Sequence, residues 1–150
     1  MNTDDTISTL NDLIETCKDG EEGFRTCAED VMGLQLKQMF TTRSQRCASA
    51  ARELQELVRS LGGNPEQHSS LGATLHRRWV DIKSAILGKD NEAVLNECER
   101  GEDMALRSYR NALAKELPMP IRLVVERQYQ GVLQNHDEVK ALRDQAKVHG

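Results

Sequence analysis

Apolar residues recur along most of this chain at alternating spacings of three and four, the period of an amphipathic helix rather than of a strand. Ile7, Leu10, Ile14, Cys17, Phe24, Ala28 and Val31 hold one such stripe in phase from Thr3 to Met32. Asp4 and Asp5 suit its start, where the helix dipole favours negative charge. Gly20 offers a C-terminal cap part-way along. The stripe runs on past the glycine, however, so a single long helix is expected.

A second helix is expected from about Gln35 to Leu61, with Phe40, Cys47, Ala51, Leu54, Val58 and Leu61 inward. Gly62-Gly63-Asn64-Pro65 stops it. A shorter helix from about Ser69 to Leu87 carries Leu71, Leu75, Trp79, Ile82 and Ile86 and ends at Gly88. A third long helix, capped by Asp90, runs to Leu117 with Leu95, Cys98, Ala105, Tyr109 and Ala112 inward. Pro118-Met119-Pro120 breaks the chain, Pro120 fitting a first helical turn. The last helix reaches about Lys147 on Ile121, Val125, Val132, Val139 and Leu142.

The expected architecture is all-α: one domain over residues 1–150, an antiparallel four-helix bundle with helices of about 40 Å. The segment 62–90, with its short extra helix, is long enough to return the chain along the bundle. It would leave helices two and three parallel, which is the crossover topology of ferritin-like bundles.

Composition narrows the partners. Aromatic residues make up 3% of the chain, so the core must be aliphatic with Ala and Cys as fillers. A formal net charge of −4 gives no reason to expect nucleic acid or an anionic membrane. The acidic N-terminus lacks the charge and apolar stretch of a signal peptide. Apolar runs are too short to span a membrane. Cys17, Cys27, Cys47 and Cys98 show no paired spacing, which fits reduced, mostly buried thiols in a cytoplasm. A homodimer is compatible with the pattern, which says almost nothing about oligomeric state.

Two acidic residues interrupt the apolar stripes. Glu21 lies between Cys17 and Phe24, and Glu102 between Cys98 and Ala105. A bare carboxylate in an apolar core costs several kcal/mol, so each must be paired, protonated, hydrated or metal-bound. Both sit in a shared C-x-x-G-E-[DE] pattern, Cys17 to Glu22 and Cys98 to Asp103, which suggests an internal two-hairpin repeat. Counting from the Pro118 turn, the last helix passes the level of Glu102 near His136. Glu21, Glu102 and His136 therefore form a candidate mixed oxygen and nitrogen site for iron, manganese or zinc, with Glu99, Tyr109, Cys17 and Cys98 around it. The alternative is a buried polar layer in which His136 or Arg43 pairs with the acids and Tyr109 donates a hydrogen bond.

Asp19-Gly20-Glu21-Glu22-Gly23-Phe24, Leu75-His76-Arg77-Arg78-Trp79, Glu99-Arg100-Gly101-Glu102-Asp103 and Asn135-His136-Asp137 together give the chain a resemblance. It resembles the ferritin-like superfamily across nearly its whole length. More narrowly, it is similar to a proteobacterial group of small four-helix-bundle proteins whose function is not established. Carboxylate-bridged ferritin-like sites use a Glu from each of two helices and a Glu-x-x-His pair from each of the other two. On that pattern Glu21, Glu102 and His136 are present, but Leu133, Ala48 and Ala51 stand at the other ligand positions. The resemblance thus implies a binding or stress-associated module holding at most one metal ion, rather than a two-metal oxidase. An iron-dependent oxidase or peroxide-consuming enzyme and a purely structural interaction protein are the alternatives.

Overall fold

The computed structural model describes residues 1–31, 33–66 and 91–149. The short helix expected at 69–87, Trp79, His68, His76 and the Arg77-Arg78 pair lie outside them. Four α-helices follow in order: α1 (Thr3–Asp30), α2 (Leu34–Ser60), α3 (Asn91–Leu113) and α4 (Met119–His149). No strand occurs among the described residues, and none of these helices is long and apolar enough to cross a membrane.

Local chemistry explains the ends. Asn2 caps α1, its Oδ1 accepting from the Asp5 amide at 2.8 Å, which places Asp4 and Asp5 in the first turn, where the dipole favours them. The helix then runs straight through Gly20 to Asp30. Gly33 at φ 100° and Gly62 at φ 82° take the left-handed turns that follow α1 and α2, where a side chain would be strained.

α3 gives out at Leu113 rather than at the expected Leu117. Pro118 disfavours helical backbone at the residue before it, and the Lys115 amide already bonds three residues back to Ala112. Leu117 still packs inward at 7% exposure, closing one end of the core.

All four helices feed one apolar cluster that includes Leu10, Ile14, Leu54, Val58, Tyr109 and Val125. A second cluster joins Phe24, Cys27, Phe40, Val94, Cys98 and Val139 toward the other end. Phe24 and Phe40 stack with ring centroids 6.1 Å apart. On α3 the inward residue is Leu106, with Ala105 half-buried; a strict stripe would have reversed them.

α1 packs closely along α2, and α3 along α4, whereas contacts between the two pairs are sparser. Between α2 and α4 the contact is a polar seam. Arg43 and Arg46 meet Asn135, and Glu53 meets Arg127 and Gln128.

Candidate functional site

The polar groups of the interior lie where the two helix pairs meet. Arg43 occupies the inward phase of α2 between Phe40 and Cys47, and it is 1% exposed. Its Nη1 donates to Glu102 Oε1 at 2.8 Å, and its Nη2 donates to the Asn135 carbonyl at 2.9 Å and to Glu138 Oε2 at 3.1 Å. Glu102 is itself 4% exposed. Burial drives its carboxyl up to about 7, Arg43 opposing the rise and Glu138 and Asp103 adding to it. Oε2 of Glu102 has no hydrogen-bond partner.

Glu21 has a different environment. Its side chain is half-buried and takes an ion pair with Lys18 at 3.3 Å, one turn back on the same helix. The difference is written in the repeat itself. Three residues before the glutamate, the first copy carries Lys18 and the second carries Glu99. The first glutamate therefore finds its cation on its own helix, while the second depends on Arg43 from α2.

Tyr109 is 2% exposed and donates its hydroxyl to Gln128 Oε1 at 2.8 Å. The Tyr109 hydroxyl oxygen also lies 3.3 Å from Cys17 Sγ. Burial pushes the Cys17 thiol up to about 11, the Tyr109 contact opposing it. Cys98 is raised too, first by its hydrogen bond with Cys27 and then by burial. The four cysteines are free thiols. Burial raises Cys47 as well, and thiols held this far from ionisation, Cys17, Cys47 and Cys98, pack as apolar groups.

A separate cluster forms between α3 and α4. Glu99 and Asp103 stand one turn apart on the same face of α3, and His136 of α4 meets both. His136 Nε2 lies 2.8 Å from Asp103 Oδ1 and 3.7 Å from Glu99 Oε1. One ligand atom from each of the three falls within 4.8 Å of the others. Nε2 of His136 is buried and makes no hydrogen bond of ordinary geometry. Asp103 is half exposed and opens the cluster to solvent, while Arg143 Nη1 pairs with the remaining oxygen of Glu99.

Of the residues singled out in the sequence, this cluster takes in His136 and Glu99 and leaves Glu21 and Glu102 outside. Asp103 entered the sequence reading only as part of a motif. Its four-residue spacing from Glu99 was the signal that could have found it. Arg43 pairs with Glu102, the partner that the buried-polar-layer alternative named for the acids.

A family model described as Domain of unknown function (DUF2383) matches residues 5–115. The chain belongs to that family. No curated protein matches it. Within this DUF2383 chain the matched segment contains Arg43, Glu102, Glu99 and Asp103, while α4 with His136 follows it. The carboxylates of the cluster thus belong to the shared domain, and its imidazole comes from the helix beyond the match.

Proposed function

We propose that the chain is a non-enzymatic, ferritin-like binding module whose Glu99–Asp103–His136 cluster holds one divalent metal ion. The carrying observation is the approach of two carboxylates and an imidazole to within 4.8 Å. A nitrogen donor with two oxygen donors suits iron, manganese or zinc. His136 Nε2 makes no hydrogen bond of ordinary geometry and already faces Asp103 Oδ1 and Glu99 Oε1, so in the neutral ring its lone pair and the two carboxylate oxygens can turn to one ion.

The ferritin-like arrangement is supported by the register of contacts. Thr16 with Ser108 and Lys115 with Thr9 link α1 and α3 in opposite senses. Arg43 with Asn135 and Gln128 with Ala50 do so for α2 and α4. Ser44 with Glu21 and Asn11 with Asn64 pair α1 with α2, and Tyr109 with Gln128 pairs α3 with α4. Opposite senses in all four pairs leave α2 and α3 parallel, as a crossover between them requires. A two-metal oxidase fits poorly, because Arg43 already sets a cation against Glu102. Free, buried thiols accord with a cytoplasmic setting.

The structural reading rests on Arg143, which neutralises Glu99 without any metal. Metal analysis of protein purified without chelators or an affinity tag, followed by titration with Mn²⁺ and Zn²⁺, separates the two. Near-stoichiometric metal is expected, lost in Asp103→Asn and His136→Ala and retained in Glu21→Gln and Glu102→Gln. A metal-free protein with no saturable uptake of either ion would establish the structural role instead.

A further inference from the structure

Between the helix pairs lies a cavity of about 670 Å³, lined from all four helices. An apolar cavity of about 150 Å³ already takes one benzene, and small-molecule pockets run to roughly 300–1,000 Å³. The space exists because every helix puts a small residue on the wall: Gly20 of α1, Ala50 of α2, Gly101 and Ala105 of α3, and Gly131 of α4. Arg127 and Asn135 stand one turn either side of Gly131 and line the cavity with it, so the three share a face. A Cβ built on Gly131 meets nothing within 4 Å.

The cavity opens on the α2–α4 side, where Arg46, Arg127 and Gly131 are exposed. Side chains bridge that side at the surface, Arg46 to Asn135 and Arg127 to Glu53. Exposed contacts of this kind hold weakly, so a molecule can enter without any helix moving.

The walls decide what can stay. Cys17, Phe24, Cys47, Cys98, Met104 and Val132 give a mainly apolar, polarisable lining. Among the described residues, the charged side chains on the walls are Asp19, Arg46, Glu53, Glu102 and Arg127. Each already has a partner. Glu53 pairs with Arg127 and accepts from Gln128, Glu102 is held by Arg43, Arg46 donates to Asn135, and Asp19 is engaged as well. Tyr109 donates to Gln128, and Thr16 to Ser108. A charged ligand would have to split one of these pairs or shed its own water without a counter-charge. An uncharged apolar one need do neither.

We propose that this cavity binds a small uncharged, mainly apolar molecule, larger than a single ring, seated between the helix pairs. The drive is removal of apolar surface from water on both the molecule and the walls. None of Glu99, Asp103 and His136 lines the cavity, so this site stands whether or not their cluster binds metal.

Isothermal titration with 2-naphthalenemethanol and 1-octanol, each beside the carboxylate and the ammonium ion of the same skeleton, tests the assignment. For at least one skeleton the alcohol should saturate at one site per chain and bind more tightly than either ion by about tenfold or more. Ala105→Phe and Gly131→Phe fill the space from opposite walls. Each should weaken the alcohol by about tenfold or more with helix content unchanged. If one of them loses helix content, the other and the head-group comparison in wild type still decide. The proposal is overturned by no saturable uptake of either alcohol, by an ion that binds as tightly as its alcohol in both skeletons, or by unchanged affinity in a filled variant that keeps its helices.

Discussion

Arg43 and Glu102 face each other across the interior at 2.8 Å, the one 1% and the other 4% exposed, from helices that no short turn connects. Such a pair weakly stabilises a fold compared with apolar packing of the same volume, yet removing one partner strands the other charge. Arg43 is doubly committed, because it also holds the Asn135 carbonyl and Glu138. It therefore ties α2 to both α3 and α4.

Arg43→Met should lower unfolding stability by about 1–3 kcal/mol at pH 7, since Glu102, the Asn135 carbonyl and Glu138 lose their donor while Glu102, already raised to about 7, takes up a proton. The double variant Arg43→Met/Glu102→Leu should recover most of that loss. Urea denaturation of the wild type, the single variant and the double variant measures both. A double variant no more stable than the single one would show that the arginine acts through something other than this carboxylate.

The same residue makes stability depend on pH. Burial raises Glu102 from the ordinary 4.5 to about 7, so the folded chain holds this proton more tightly than the unfolded one. Its contribution is therefore complete below about pH 4.5 and is lost as the pH climbs through 7. The amplitude is on the order of 3 kcal/mol. Thermal denaturation of wild type and Glu102→Gln between pH 4 and 8 isolates it: the variant should lack this part of the decline. Parallel curves for the two proteins would contradict the assignment.

Gly20 of α1 lies against Cys47 of α2. A Cβ built there would lie 2.8 Å from Cys47 Sγ, too near for real atoms. Gly20→Ala should then lose about 1–2 kcal/mol to this clash, outweighing the roughly 1 kcal/mol gained in helix propensity. Adding Cys47→Ala removes the obstructing sulfur and should turn the glycine substitution into a stabilising one. Chemical denaturation of the four-member cycle gives the coupling directly.

The helices were legible where the residues act locally. Apolar spacing through Gly20 carried α1 to Asp30, and Gly62 stopped the chain beside the observed end of α2, whereas α3 ended at Leu113, a turn short of the stop read from Pro118. Register was partly legible as well. Counting from Pro118 set His136 at the level of Glu102, and it lies against the next residue, Asp103. The repeat marked Glu21 and Glu102 as equivalents, although their neighbours differ: Lys18 partners one and Arg43 the other.

By itself, then, the sequence determined which of the described segments are helical, roughly where they end, and that a charged group would be drawn into an apolar stripe. Those properties follow from hydrogen bonds and side-chain phase within a single segment, which reach no further than a few residues. Tertiary structure alone decided that Arg43 answers Glu102, that Glu99 and Asp103 meet His136, and that small residues from separate helices leave a common cavity. Each of these depends on how far one helix is rotated and shifted against another. A helical period leaves that setting open, and only the packing of all four helices selects it.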